Sequence, residues 1–449
     1  MAETAGARRG WGDALAVYLN RRVIAMAFLG FSAGLPFLLI FGTLSAWLTE
    51  ADVSRTTIGF FSWVGITYSI KVFWAPVVDR LPLPILNRVL GRRRSWMLVA
   101  QITIALGLFL MAHTDPAQNL ERVALLAFLV AFASATQDIA VDAYRIEAVN
   151  RDLQGAMAAT YQGGYRIGVL LAGAGALYLA EFYSWPVAYM VMAAAMGIGV
   201  VTVAVIREPE VEIASETRAR EAKLFGSLGG DAEVGGQWRR LAQWFAGAVV
   251  APFVDFFARN GTAGLIILAF VGLYRLSDIN LGIMANPFYL DMGFTKAEIA
   301  NVTKVFGVLM TMAGAFLGGL LVARYGILRP LLLGALLVPI TNLLFIVLAL
   351  SGPDLALLTM TIGADNLSAG LAGSAFIAYL SSLTNTAYTA TQYALFSSLF
   401  TLPGKLVGGF SGVVVDAAGY PVFFAYASAL GLPAIVLVLV LMARARRSG

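Results

Sequence analysis

Cysteine is absent from this 449-residue chain, and histidine occurs once, as His113. A disulfide framework is therefore excluded, and the Cys and His ligands that zinc sites commonly use are missing. We expect neither a metal site nor a cofactor. A secretory signal peptide is not expected either, because residues 1–22 are polar and lead directly into a long apolar run.

Charge is also scarce. Charged residues make up only 13% of the chain, against roughly 25% in soluble domains. Hydrophobic residues make up 59%, and the mean hydropathy is +0.79. This composition predicts a multi-pass membrane protein. The excess of 31 Lys and Arg over 26 Asp and Glu then reflects topology and does not indicate nucleic-acid binding, since cytoplasmic loops retain basic residues.

Apolar stretches long enough for a helix to cross about 30 Å of hydrocarbon recur along the chain. We predict an all-α protein with twelve transmembrane helices, called spans 1 to 12. They begin near Val23, Thr57, Trp96, Val123, Ala156, Trp185, Thr262, Ile299, Leu331, Leu355, Thr391 and Pro421.

The segment 207–260 separates span 6 from span 7. Its first part is rich in charged residues and glycine, as flexible linkers are. For the apolar part, 238–257, we expect an interfacial amphipathic helix, because an even number of spans keeps both basic chain ends on one side. A thirteenth span is the alternative. The predicted units are a six-helix bundle at 1–206, a cytoplasmic linker at 207–260 and a second six-helix bundle at 261–449.

Basic residues favour one side of the predicted bundle. Arginines precede span 1, follow spans 2 and 8 and close the chain, whereas the opposite loops hold only Arg55, Arg122 and Lys296. The positive-inside rule therefore predicts that both termini are cytoplasmic.

Ionisable residues also occur inside the apolar spans. A charge at such depth is costly unless it is paired or faces a watery cavity, so these residues mark substrate or proton pathways. Two halves joined by a long polar loop likewise favour a transporter whose site lies between the halves. The acids are Asp138, Asp142, Asp278 and Asp365, and the bases are Lys71, Arg166, Arg275, Lys304 and Lys405.

Structural pairing is the alternative for each of these charges. Arg275 and Asp278 are three residues apart and can pair within span 7, and Lys71 can pair with an acid of span 4 or span 7. Arg166 follows two glycines that allow close packing against a neighbour such as span 4. We therefore expect Arg166 to pair with Asp138 or Asp142.

Two loops carry a related motif: Asp79-Arg80 follows span 2, and Arg324-Tyr-Gly326 follows span 8. Both are similar to the signature of the major facilitator superfamily, in which a Gly-x-x-x-Asp-Arg-x-Gly-x-Arg run holds the cytoplasmic helix ends together. The first copy lacks the leading glycine, and Ala323 replaces the acid of the second. The resemblance implies the fold of that superfamily, with a cytoplasmic gate at Asp79, Arg80 and Arg324.

More specific strings occur in both halves. They are Gly30-Phe-Ser-Ala-Gly34-Leu-Pro36, Tyr68-Ser-Ile-Lys71-Val-Phe-Trp74-Ala-Pro76, the span 4 run 134–145, Phe288-Tyr-Leu-Asp-Met-Gly-Phe294 and Ala390-Thr-Gln392-Tyr-Ala-Leu-Phe-Ser-Ser-Leu399. These strings resemble those of the AmpG family of muropeptide permeases. The resemblance implies proton-driven import of N-acetylglucosaminyl-1,6-anhydro-N-acetylmuramyl peptides across the bacterial inner membrane, without catalysis. The wider group also contains acetyl-CoA carriers.

A muropeptide carries many hydroxyl groups and several carboxylates. Basic side chains would bind the stem carboxylates, while amides and aromatic rings would bind the sugars. We expect a monomer in the bilayer whose ligands are the muropeptide and protons, the latter carried by Asp138, Asp142, Asp278 or Asp365. The expected substrate-binding residues are Lys71, Gln137, Tyr144, Tyr165, Arg166, Arg275, Asn286, Lys304, Asn366 and Gln392.

Other functions stay open on the sequence. An acetyl-CoA-type carrier or a drug-efflux permease of the same superfamily has the same layout. An integral-membrane enzyme is disfavoured, because the chain has no large hydrophilic catalytic loop and its buried acids are distributed over both halves.

Overall fold

The computed structural model describes residues 11–53, 61–210, 250–408 and 410–448. These residues form helices and connecting turns, with no strand among them. Ten helical segments of the described part are long and apolar enough to cross a membrane. Spans 2 and 11 complete the twelve. The observed helices begin close to the predicted positions, except that the predicted start of span 2 at Thr57 lies outside the described residues.

The first half contains spans 1 to 6, preceded by a short helix at Trp11–Ala16 and a 3-10 turn at Val17–Leu19. The longer helices of this half run continuously or with a single interruption. The helices are Arg21–Leu39 and Gly42–Glu50 in span 1, Arg92–Ala112 in span 3, Leu120–Glu147 in span 4, Gln154–Leu170, Leu171–Gly175 and Ala176–Phe182 in span 5, and Trp185–Ala195 and Gly197–Val205 in span 6.

The second half contains spans 7 to 12. The helix recorded as Ser411–Ala429 is interrupted at Gly419, whose φ of 78° and ψ of 170° are not helical, so spans 11 and 12 meet there. The helices are Ala263–Leu273 and Leu276–Asp291 in span 7, Lys296–Ile299, Ala300–Phe306 and Gly307–Tyr325 in span 8, Leu328–Ser351 in span 9, Leu355–Leu383 in span 10, Thr389–Gly408 at the start of span 11, and Leu432–Ser448 in span 12.

Two spans are interrupted at basic residues. Span 2 is divided into four short helices, Ser62–Gly65, Ile66–Ile70, Lys71–Phe73 and Ala75–Arg80, and the 3-10 turn of the third begins at Lys71. Span 7 breaks at Arg275, which precedes the helix Leu276–Asp291. Irregular backbone is tolerated at membrane depth only where it is buried in protein or lines a cavity. Both interruptions are therefore expected to lie inside the protein or to line a cavity.

Spans 1 and 5 pack with their backbones nearly in contact. A Cβ atom at Gly30 would lie 2.2 Å from the carbonyl oxygen of Tyr161, and one at Gly164 would lie 1.8 Å from that of Ala27. Small residues allow such close approach of membrane helices. The close packing predicted for Gly164 is confirmed, but its partner is span 1 and not span 4.

Spans 8 and 10 form the equivalent contact in the second half. A Cβ atom at Gly314 would lie 2.0 Å from the carbonyl oxygen of Leu367, and one at Gly370 would lie 2.2 Å from that of Thr311. Each half thus contains one helix pair whose separation is fixed by glycine.

The halves meet at the end of the bundle where the loops around Gly91, Asn150 and Gly326 lie, here called the basic end. Spans 5 and 8 pack closely there, because a Cβ atom at Gly155 would lie 2.6 Å from the Val322 side chain. The Tyr18 hydroxyl also donates to the carbonyl oxygen of Phe316 at 2.9 Å. Apolar residues of one half join the core of the other: Ile146 packs within a second-half cluster.

A helix at Ala251–Asn260 precedes span 7 and has ten residues, or about 15 Å of length. Phe256 is buried and packs against Phe396 of span 11, whereas Phe253 and Val254 are exposed. The predicted interfacial helix over 238–257 lies largely outside the described residues, and this helix contains residues 251–257 of it.

Neighbouring glycines in span 5 test the glycine-fixed helix pair. We expect Gly164→Ala to lower the melting temperature of the purified protein markedly, because overpacking costs about 1–3 kcal/mol and the blocking atom is backbone. Gly163→Ala is the matched control, since its nearest neighbour is the end of Met312 at 3.9 Å. Equal melting temperatures for the two variants in detergent would contradict the described contact.

Candidate functional site

One cluster of charges lies in the first half, around Asp142 of span 4. The Nζ atom of Lys71 is 4.0 Å from Asp142 Oδ2, and the Nη2 atom of Arg145 is 3.4 Å from Asp142 Oδ1. Asp142 is therefore paired with two cations. The pairing that the sequence offers as an alternative for Lys71, with an acid of span 4, is present.

Asp138 lies one helical turn before Asp142 and interacts electrostatically with Lys71 and Asp142. Its Oδ1 atom is buried and has no hydrogen-bond partner within the described part of the chain, and the same holds for both amide atoms of Gln137. A buried polar group without a partner costs about 1–3 kcal/mol. A ligand or proton can bind these two side chains without breaking an existing hydrogen bond.

Arg145 extends this cluster into the other half. Its Nη1 atom donates to the Ser381 hydroxyl at 2.7 Å, and its guanidinium lies 5.0 Å from the centre of the Tyr393 ring. The side chain is fully buried. Sequence reasoning missed Arg145 as a functional candidate, although its position three residues after Asp142 was a usable signal.

A second cluster lies in the other half. Arg275 forms a hydrogen-bonded ion pair with Asp278 within span 7. Asp365 of span 10 is buried, interacts electrostatically with both of these residues and has no hydrogen-bond partner at Oδ1 within the described residues. The four acids that sequence reasoning grouped as proton carriers therefore lie two in each half, each pair beside a base.

Arg166 of span 5 does not lie beside the acids of span 4 with which it is expected to pair. Its side chain is exposed, and its charged neighbours are Arg275 and Asp278 of the other half. The expected ion pair with Asp138 or Asp142 is not formed between these described residues, because Gly164 and Gly168, on either side of Arg166, pack against span 1. Tyr165 is half-buried and interacts electrostatically with Asp138 and Arg166.

Three predicted substrate-binding residues are engaged elsewhere. Asn366 accepts a hydrogen bond from the Thr311 hydroxyl at 2.8 Å and donates to the Ile362 carbonyl at 3.0 Å. Tyr144 is buried near the end of span 4 and donates to the carbonyl oxygen of Arg207 at 3.3 Å. Two further candidates, Asn286 and Lys304, have side chains outside the part of the chain that the structure describes.

Gln392 is the third of these residues, and it binds the helix that precedes span 7. Its amide nitrogen donates to the Pro252 carbonyl at 2.8 Å and to Asp255 at 3.2 Å. Its amide oxygen accepts from the Asn385 backbone at 2.7 Å and from Arg259 at 3.1 Å. These bonds use the side chain fully at the basic end, so a role in substrate binding is not supported there.

Asp79 joins the halves at the basic end. Its carboxylate accepts hydrogen bonds from the backbone nitrogens of Ala390 and Thr391, at 3.1 and 2.7 Å, and from the Thr391 hydroxyl at 2.7 Å. A carboxylate at the first turn of a helix is favoured by the unpaired N–H groups and the helix dipole. Asp79 of span 2 thus holds the beginning of span 11.

Arg93 connects Asp79 with two further acids. It contacts Asp79 at 2.8 Å and Glu147 at 2.5 Å. Its backbone N–H donates to Glu208 at 2.7 Å, and burial raises the pKa of the Glu208 carboxyl. Among the other predicted gate residues, Arg80 lies 5.7 Å from the Tyr388 ring across the interface, and Arg324 lies over the adjacent Tyr325.

Comparison with solved structures shows the fold. The chain is similar to the transporter FucP in its outward conformation, with a TM-score of 0.65 and 12% identity over 94% of this chain and 99% of FucP. It is also similar to the proton:xylose symporter XylE, with a TM-score of 0.61 and 13% identity over 95% of each chain.

Comparison of sequences gives the family. The model of the major facilitator superfamily matches residues 26–407. The chain is 34% identical to a Rickettsia conorii protein named transporter AmpG 4, over 95% of this chain and 97% of that one. It is also 34% identical to the anhydromuropeptide permease of Escherichia coli K12, over 95% of this chain and 81% of that one. The chain therefore belongs to the AmpG family of the major facilitator superfamily, a family of multi-pass membrane transporters.

Proposed function

We propose that this protein is a proton-driven importer of anhydro-muropeptides that carries them from the periplasm to the cytoplasm of a bacterium. The observation that carries the proposal is the pair of charged clusters, one in each half, beside the interface between the halves. Transporters built from two bundles bind their substrate at such an interface. The name of the Escherichia coli relative supports the class of substrate.

The proposed orientation places the basic end in the cytoplasm and the chain in the inner membrane, with both termini cytoplasmic. Asp79, Arg80 and Arg324 then belong to a cytoplasmic gate. The described hydrogen bonds between the halves lie at this end and as far along span 5 as Gln162. In this orientation the halves are joined on the cytoplasmic side, so the described state faces outward. A single pair of six-helix bundles suffices for a monomeric carrier.

The proposed substrate contacts divide by chemistry. Lys71, Arg166 and Arg275 would bind the stem carboxylates through charge-assisted hydrogen bonds. Gln137, whose amide atoms have no described partner, and Tyr165 would bind the sugar end. Asn286 and Lys304 stay in the proposal on their sequence positions, whereas we give Tyr144, Asn366 and Gln392 no direct substrate contact.

Asp138 and Asp142 are the leading proton-responsive groups, and Asp278 and Asp365 are the alternatives. The membrane potential supplies about 2.3 kcal/mol per charge for each 100 mV, which is enough to drive accumulation. Asp142 shares its cations with the interface through Arg145. A proton bound at this pair would therefore change contacts between the halves.

Purified protein in liposomes tests the function directly. We expect labelled anhydro-muropeptide to accumulate unmodified when an inward proton gradient is imposed, and the accumulation to be lost when a protonophore is added. Accumulation that persists with the protonophore would contradict proton coupling. Uptake of acetyl-CoA or export of a drug instead would favour another carrier, and product formed without uptake would favour an enzyme.

Substitution at the span 4 acids tests proton coupling. We expect Asp138→Asn or Asp142→Asn to abolish gradient-driven accumulation while exchange of labelled for unlabelled substrate continues, because exchange needs no net proton movement. Glu121→Gln, at an exposed acid in the first turn of the same helix, is the control. If both aspartate variants still accumulate substrate, the proton is carried at Asp278 or Asp365.

Loss of the Asp79 charge tests the gate. We expect Asp79→Asn to raise the rate at which a cysteine at Ala394 reacts with a water-soluble maleimide by about tenfold or more, since charged hydrogen bonds contribute about 1.5–3 kcal/mol each. Ala394 is buried against the first half, and the chain has no other cysteine. Glu210→Gln, at an exposed acid near the same end, should leave the rate unchanged.

A further inference from the structure

Arg166 and Arg275 are two cations that approach each other from opposite halves. Arg166 belongs to span 5. It is exposed and makes no hydrogen bond or ion pair within the described residues. Arg275 belongs to span 7, and 28% of its side chain is exposed. Its described ion-pair partner is Asp278, which leaves several of its five N–H donors for a ligand.

Arg166 and Arg275 lie next to the last described hydrogen bond between the halves. The last described hydrogen bond between the halves, counted from the basic end along span 5, runs from Gln162 to the Ser374 hydroxyl at 2.8 Å. Arg166 lies one helical turn further along the same helix. The two guanidinium groups therefore lie where the joined part of the interface ends.

Gly373 shapes this point of the interface. A Cβ atom there would lie 2.8 Å from the Gln162 side-chain oxygen and 3.4 Å from Arg275 Nη1. The missing side chain leaves the space in which Arg275 of one half approaches Gln162 of the other. An anion between Arg166 and Arg275 would thus lie next to contacts that already join the halves.

We propose that Arg166 and Arg275 form one carboxylate-binding site shared by the two halves, and that an acidic ligand bound there draws the halves together on the open side. The inference rests on the proposed function and adds which part of the ligand triggers closure. Asp278 neutralises one of the two guanidinium groups, so the empty site keeps one net positive charge, and a ligand carboxylate between the two groups would compensate it through charge-assisted hydrogen bonds to both halves.

Lys71 does not fit this role. It lies 4.0 Å from Asp142, and both residues belong to the first half. A carboxylate that replaced Asp142 beside Lys71 and Arg145 would be held by cations of the first half only. A ligand can shift a conformational equilibrium only through different affinities for the two states, so the bridging pair is the one that couples binding to closure.

Distance measurements between spin labels test closure. The chain has no cysteine, so labels attach only at Tyr183→Cys and Asn301→Cys, which are exposed and lie in different halves away from the basic end. The probes are an anhydro-muropeptide with free stem carboxylates and the same compound with those carboxylates amidated. We expect the acid form to shift the distance distribution to shorter values and the amide form to leave it unchanged.

Variants separate this inference from the proposed function. We expect Arg166→Gln to weaken binding of the acid form about 10- to 100-fold and to abolish the shift at saturating ligand. Arg166→Lys should restore part of it, and Ile167→Ala, at the exposed neighbour, should behave like the parent. Gly373→Ala, which crowds the site without removing charge, should also weaken closure.

The result that would contradict the bridging role differs from the result that would contradict the proposed function. Equal closure with the acid and amide forms, or normal closure in Arg166→Gln, would overturn the bridging role while the proposed function stands. Failure of the parent protein to bind either form would overturn the proposed function and the bridging role with it.

Discussion

The low dielectric of the bilayer is the constraint on which the arrangement of this chain depends, because a charge there must be paired or face water. Asp142 is paired with Lys71 and Arg145 in one half, and Asp278 with Arg275 in the other. Asp138 and Asp365 each keep an oxygen without a described partner, and they belong to spans 4 and 10, the fourth helices of their halves. Each half thus contains one paired acid and one acid with an oxygen that has no described partner.

Close helix packing holds each half together, and hydrogen bonds add to the packing between the halves. Backbones at Gly164 and Gly314 are fixed by close approach, which leaves no room for adjustment. Between the halves, the close packing of Gly155 on Val322 is accompanied by hydrogen bonds, such as Asp79 with Thr391 and Gln162 with Ser374. Polar groups can exchange a protein partner for water at small net cost. The structure therefore combines rigid pairs inside each half with a separable interface.

Sequence reasoning predicted the fold because twelve apolar runs and their basic flanks suffice to place helices. It failed where the answer depends on which helices are neighbours: Arg166 has no acid of span 4 nearby because span 5 packs on span 1. The position of a residue along its helix also indicates its depth in the membrane, and this signal is present in the sequence. Gln392 is the fourth residue of its helix and Tyr144 lies near the end of another, so neither was a strong candidate for a midplane site.

In the proposed mechanism, Arg145 connects the proton-responsive Asp142 with the cytoplasmic gate, because its side chain contacts both halves. It neutralises Asp142 within one half and contacts Ser381 and Tyr393 of the other, with no exposure to solvent. Protonation of Asp142 would leave this guanidinium without its anion, and an uncompensated buried charge costs about 3–5 kcal/mol. Opening the basic end would relieve that cost by hydrating Arg145. Under the proposed function, proton binding and opening of this end would therefore favour each other, and the coupling would be reciprocal.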